Sequence, residues 1–195
     1  MRKPTKKSIT VKNKKLEQFL NKYFNLKTLL AIIILIVLMA SFTDFFKILI
    51  LMAIFIPMAA YSMMATRLIP HIAVETLSGS VLLLGYLYGP IVALVFGFVG
   101  GFYGLYKSGH IRYLMIVRII VTAIVGALMS FFTGITFNLN FIIGIVAMNV
   151  VLFFVYLVID PDPIQNYTHR ASHLLSNVLI LRYLFLGLYA LVTLI

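Results

Sequence analysis

The chain has 195 residues, of which 63% are hydrophobic and 11% are charged, and its formal net charge is +11. Soluble domains are about a quarter charged, so a soluble protein of this size could not cover its surface with so few charges. The composition therefore predicts an all-α integral membrane protein, and the lack of cysteine excludes disulfides, thiolate metal sites and a cysteine nucleophile.

Residues 1–25 are basic and polar, with leucine and aromatic residues at helix-like spacing between positions 16 and 24. We expect a basic cytoplasmic arm with a short amphipathic helix that lies on the inner headgroup layer. Lys and Arg beside a membrane segment favour the cytoplasmic side, which predicts a multi-pass protein of the cell membrane with a cytoplasmic N-terminus. The lipid bilayer is the partner that this arm implies, and we expect no binding of nucleic acid.

Apolar runs predict transmembrane helices within a single domain, residues 26–195. The predicted spans are 26–43, 45–65, 90–106, 113–132, 141–159 and 174–195, with an uncharged polar loop at 133–140 and a further loop from 160 to about 172. The Asp-Pro-Asp-Pro sequence at 160–163 is expected to end the fifth span.

Residues 68–89 are less regular, because a proline and a Ser-Gly-Ser sequence interrupt their apolar character. About 20 apolar residues are needed to cross a bilayer, so this segment is either a short, partly broken helix or a re-entrant piece. The fold is therefore a bundle of six or seven transmembrane helices. Only seven crossings place Lys107 and Arg112 inside and the 133–140 loop outside, so the positive-inside rule favours seven.

Small residues recur every fourth position at Gly89, Ala93, Gly97 and Gly101, which makes one stripe along a helix. A glycine in a water-exposed helix costs about 1 kcal/mol relative to alanine. In a membrane the compensation is close approach of a neighbouring helix. We expect the stripe to pack against protein and its helix to be the buried centre of the bundle.

Polar residues at membrane depth are the candidate site, because charges there are costly and usually face a cavity or a partner. We predict that Glu75 pairs with Arg118 or with Arg182. The predicted substrate-binding residues are Glu75, His71, Arg118, Asn149 and Arg182. The alternatives are snorkelling for Arg118, and hydrogen bonds between helices for Asn149 and Asn177.

Catalytic and metal-binding patterns are missing from the sequence. It contains no HExxH, GxSxG or Walker A motif, and no pair of acids placed for general acid–base work. His169 and His173 are four residues apart, but only Asp162 among the acids is near them. We predict that the chain is not an enzyme and has no metal site and no cofactor.

A short apolar helix that ends in Gly89-Pro90 is followed by a helix with Gly97 and Gly101, and then by a span with Gly126-Ala127. In this order the stretch resembles the substrate-binding S components of energy-coupling-factor (ECF) transporters. It also resembles the transmembrane input domains of LytS-type sensor kinases, which share the Gly-Pro and Gly-rich pattern around 82–132. The two resemblances stay open as alternatives.

The ECF resemblance implies a six-helix, non-catalytic binder of a vitamin or metal ion that docks on a membrane scaffold subunit with two ATPases. It also implies a docking surface of small residues, for which Ala53, Ala59 and Ala60 are the candidates. The predicted function is the substrate-binding subunit of a small-molecule uptake transporter. The alternative is a structural or sensory membrane module that acts through protein partners.

Overall fold

A computed structural model of the chain describes residues 30, 31, 33–35, 37, 44–68, 75–109, 111, 113–159 and 163–194. The chain separates into two units, Met1–Thr43 together with Ile195, and Asp44–Leu194. The described residues of the first unit are helical. The predicted basic arm and most of the predicted first span lie outside the described residues.

All regular structure in the described part of Asp44–Leu194 is helical. The helices are α1 (Asp44–Leu68), α2 (Thr76–Tyr88), α3 (Pro90–Ser108), α4 (Tyr113–Met129), α5 (Phe137–Ile159), α6 (Pro163–Ser176) and α7 (Arg182–Leu194), and a π-helical turn, Asn177–Leu181, joins α6 to α7.

The described helices include four stretches that are long and apolar enough to cross a membrane: Asp44–Met64, Pro90–Ser108, Phe137–Ile159 and Arg170–Leu194. The all-helical class is confirmed, and these stretches are those of a multi-pass membrane protein. α2 and α4 are also apolar but shorter.

α2 is the centre of the bundle. Its residues from Thr76 to Gly85 are all buried, and it packs against α1, α3, α4, α5 and α7. The prediction that the glycine-rich α3 is the centre is therefore wrong. α3 has one small-residue face turned inward, while Ile91, Val95 and Val99 are exposed on its other side.

Successive helices from α1 to α6 run in opposite directions, and α7 continues the direction of α6, which defines two ends of the bundle. Gly97 faces Ala123 and Gly101 faces Ile119, so α3 and α4 are antiparallel. We call the end where α2 begins the Glu75 end. The opposite end, where α2 finishes and α5 begins, is the Tyr86 end.

The small-residue stripe packs against protein at three of its four positions. A Cβ added to Gly97 would lie 2.7 Å from the Ala123 Cβ, and one added to Gly101 would lie 2.7 Å from an Ile119 methyl carbon. Ala93 is fully buried as well. Gly89 is different, since its φ of 93° suits glycine and open space surrounds it, so it forms the α2–α3 turn instead of a packing contact.

Two of the three predicted docking residues are buried. Ala59 and Ala60 lie inside the protein, and a Cβ on Gly104 would sit 3.4 Å from the Ala60 Cα. Small residues of α1 thus allow α3 to approach, and the docking prediction is wrong for Ala59 and Ala60. Ala53 is exposed, so its docking role stays a prediction.

The predicted loop from 160 to about 172 is largely helical. α6 begins at Pro163, a position where proline costs nothing because the first helical N–H has no partner within the helix. The last predicted span therefore begins before residue 174, and helical structure continues through the π turn to Leu194. The predicted polar loop at 133–140 is also shorter than expected, because α5 begins at Phe137.

Candidate functional site

An ion pair between Glu75 and Arg118 is the core of the candidate site. Glu75 is the residue before α2, has an extended backbone and is 1% exposed. Arg118 lies in the second turn of α4, and its Nη2 contacts Glu75 Oε2. One of the two predicted pairings is thereby confirmed. The Arg118 side chain turns to Glu75 and does not follow the snorkelling alternative.

His173 of α6 is the second partner of Arg118. Arg118 Nη2 lies 3.0 Å from His173 Nδ1, and Nη1 lies 3.4 Å from Nε2. A guanidinium group has donors only, so the ring nitrogen that accepts must carry no proton. In this arrangement His173 is therefore neutral, and Arg118 links α4 to both α2 and α6.

Asn177 lies one turn after His173, where the π-helical turn begins. Its Nδ2 donates to the His173 carbonyl oxygen at 2.8 Å, while its buried Oδ1 has no hydrogen-bond partner in the described part of the chain. Single π turns inside α-helices are frequent at functional sites. Here the π turn directly follows the polar contacts of α6.

Arg170 brings a second buried cation to the same end. Its guanidinium carbon lies 4.1 Å from the centroid of the Tyr156 ring, and the Tyr156 hydroxyl donates to the Leu114 carbonyl oxygen at 2.8 Å. Arg170 is close enough to Arg118 for the two charges to repel. Among the described residues, no carboxylate pairs with Arg170 and its guanidinium nitrogens make no hydrogen bond.

We call Glu75, Arg118, Arg170, His173 and Asn177 the Glu75 cluster. With neutral His173, two arginines oppose one carboxylate, so the described residues of the cluster carry a net positive charge. Buried polar atoms without partners cost about 1–3 kcal/mol each, and native proteins usually satisfy them with protein, water or ligand. The cluster therefore holds more buried polar atoms than the described residues satisfy.

Two buried hydroxyl groups near the cluster in sequence also lack hydrogen-bond partners within the described ranges. Thr122 follows Arg118 by one turn on the same face of α4, and Ser80 lies in the second turn of α2. Neither hydroxyl has the usual compensation for burial. They extend the set of unsatisfied polar atoms on the two helices that carry the ion pair.

The other predicted site residues do not join the cluster. Asn149 Nδ2 donates to the Ile145 carbonyl oxygen of its own helix at 2.9 Å. The expected hydrogen bonds between helices are therefore wrong for both Asn149 and Asn177, because a carbonyl one turn back is within reach. Arg182 Nε donates to Asn138 Oδ1 at 2.6 Å, at the Tyr86 end. His71 lies outside the described residues.

A separate cleft of about 480 Å³ lies at the Tyr86 end. It is lined by Tyr86, residues 133–138, Leu186 and Tyr189. The Tyr86, Phe137 and Tyr189 rings contact one another, with the Phe137 and Tyr189 centroids 4.8 Å apart. Several lining residues, including Thr133 and Thr136, are exposed, so this cleft is open. These three aromatic residues come from separate helices and give no local sequence signal.

Sequence reasoning missed Arg170 because it placed this residue in a loop. Arg170, His173 and Asn177 are spaced i, i+3 and i+7, which is one face of a helix, and this spacing could have revealed them. Within the described ranges, no three His, Asp or Glu side chains lie close enough to hold a metal ion.

No protein-family model, curated protein or solved structure matches this chain. The function is therefore inferred from the residues of the Glu75 cluster.

Proposed function

We propose that this chain is a membrane-embedded subunit that binds a small solute for uptake and has no catalytic activity of its own. The observation that carries this proposal is the Glu75 cluster, a buried group of charged and polar residues in an otherwise apolar helical bundle. Intramembrane ionisable residues are rare, and they usually mark a substrate or ion path.

A purely structural ion pair needs only its two members. The Glu75 cluster instead collects groups from three elements, namely the start of α2, the second turn of α4, and the α6 helix with its π turn. Arg170 adds a cation for which no described carboxylate compensates. This excess of polar groups supports a binding role over a structural one.

The proposed architecture is a bundle resembling an S component, with seven crossings when the predicted span 26–43 is included. α2 is only 13 residues long, about 20 Å, yet its direction is opposite to those of both α1 and α3. Tyr88 at its end is within electrostatic range of Asp44, where α1 begins. These contacts support counting α2 as a crossing.

The resemblance implies docking on a membrane scaffold with two ATPases. The cluster favours an organic solute over a metal ion because the charges of its described residues sum to a positive value. The test is affinity purification of the tagged full chain in mild detergent, followed by protein identification and native mass spectrometry. We expect an ATPase pair and a small-molecule adduct. Repeated recovery of neither would contradict the proposal.

A structural or sensory module is the second candidate, favoured by the dense packing around α2. Cβ atoms added to Gly79, Gly126 or Gly144 would overlap side chains of neighbouring helices. A tightly packed bundle of this kind is well suited to transmit a rigid movement to a partner. Co-purification of a kinase or assembly protein, without ATPases, would favour this second function.

A further inference from the structure

We infer that the part of the solute recognised by the Glu75 cluster is an anion, a carboxylate or phosphate group, seated against Arg170 and Arg118. This rests on the proposed function, since it names the charge of the ligand for the same site.

The charge balance is the first argument. Arg118 is paired with Glu75 and has neutral His173 as its second partner, whereas Arg170 has no acidic partner among the described residues. An uncompensated cation in a low-dielectric interior is costly, and the two arginines also repel each other. An anion placed between the two guanidinium groups would remove both penalties.

The second argument is the set of donors that remain available. Both Arg118 Nη atoms already contact Glu75 or His173, but its Nε and the three Arg170 guanidinium nitrogens are buried without hydrogen bonds to any described residue. Tyr156 contacts the Arg170 guanidinium, so the N–H groups that a ligand would use are those directed away from this ring. That planar fork matches carboxylate and phosphate oxygens in a bidentate geometry.

Glu75 and Asn177 limit what else the site accepts. The Glu75 carboxylate would repel an anion if it were not held on Arg118, so the ion pair is a positioning feature of the site. The free Asn177 Oδ1 is an acceptor, which suits a hydroxyl or N–H group of the solute. The favoured ligand is therefore a small organic anion that also carries a hydrogen-bond donor.

The same anionic group occurs in soluble metabolites and in lipid headgroups, so the experiment has two arms. The full chain is reconstituted in phosphatidylcholine nanodiscs, and its melting temperature is measured with matched pairs of soluble probes. The pairs are benzoate against benzamide and glycerol 3-phosphate against glycerol. The lipid arm compares nanodiscs with and without phosphatidylglycerol.

Arg170→Gln removes the proposed contact, and Arg182→Gln is the matched control because Arg182 lies at the Tyr86 end. We expect an anionic probe to stabilise the wild type and the control more than its neutral partner does, with at least tenfold weaker binding to Arg170→Gln. Arg170→Lys keeps the charge but lacks the fork, so it should show intermediate binding. This second variant keeps the test decisive if Arg170→Gln does not fold.

Each outcome decides something. Stabilisation by a soluble anion supports the inference and identifies a free solute, whereas stabilisation by phosphatidylglycerol alone supports the anion chemistry but contradicts uptake. Equal shifts within every pair in both arms would overturn the inference. A neutral solute found by native mass spectrometry would then leave the proposed function standing, and the absence of any solute would overturn both.

Discussion

Arg118 of α4 and Glu75, the residue that precedes α2, form a buried ion pair at one end of the bundle. The pair connects the start of α2, the central helix, to α4, which is the second helix after it in the chain. Because Arg118 also contacts His173, one guanidinium group fixes the relative positions of α2, α4 and α6. Stability and binding should therefore both depend on it.

The first prediction concerns removal of either charge. Glu75→Gln or Arg118→Gln leaves the other charge buried without its partner, which should lower the free energy of unfolding by about 3 kcal/mol. The double variant Glu75→Gln/Arg118→Gln should lose less than the sum, since neither member of the pair is left charged without the other. Thermal unfolding in detergent measures all three, with Arg182→Gln as the reference. Additive losses would show that the two side chains do not interact.

The second prediction concerns the charge on His173. His173→Lys would place a cation against Arg118, so it should destabilise the protein strongly, whereas His173→Gln keeps a neutral acceptor and should be tolerated better. Comparing melting temperatures of the two variants tests this directly. A lysine variant as stable as the glutamine variant would mean that Arg118 does not face this position.

The third prediction concerns the small-residue stripe. In Gly97→Ala the new Cβ would lie 2.9 Å from the Ala123 Cα, a backbone atom that cannot move independently of α4. Overpacking of this kind costs about 1–3 kcal/mol. Gly187→Ala is the control, because nothing lies within 4 Å of a Cβ at that helical position. Equal melting temperatures for the two variants would place the stripe away from α4.

Much of the fold follows from sequence pattern, and most of the site does not. Apolar runs and the Gly-Pro turn suffice for α1, α3, α4 and α5 but not for α6, which is mostly polar. Small-residue spacing correctly predicts that Ala93, Gly97 and Gly101 pack inward. The small-residue spacing does not predict which helix is central, because it indicates close packing on only one face of a helix. α2 is central since its glycines allow close neighbours: Gly79 lies against Phe185, and Gly85 lies against Ser130 and Ala93.

Within the candidate site, the free-energy cost of burying a charge predicts that Glu75 pairs with an arginine. It does not predict whether that arginine is Arg118 or Arg182. That choice depends on the parallel course of α2 and α4, which only the three-dimensional structure reveals. Arg170 was missed because the start of its helix was not predicted. Proline is compatible both with the end of one helix and with the first residue of the next, so Pro163 does not decide between them.

The fourth prediction concerns orientation in the membrane. Lys107 and Thr133 are exposed and lie at opposite ends of the α3–α4 hairpin. The chain has no native cysteine, so Lys107→Cys and Thr133→Cys can be labelled individually with a membrane-impermeant maleimide. The positive-inside rule predicts labelling of Thr133→Cys in intact cells and of Lys107→Cys only after permeabilisation. The reverse pattern would invert the proposed topology.

Native mass spectrometry of the full chain, released from mild detergent, tests the central claim that the Glu75 cluster holds a small molecule. We expect the wild type and the Arg182→Gln control to carry a dissociable adduct, and the Glu75→Gln/Arg118→Gln variant to have lost it while remaining folded. An adduct that persists in this double variant, or a wild type that never carries one, would contradict the account.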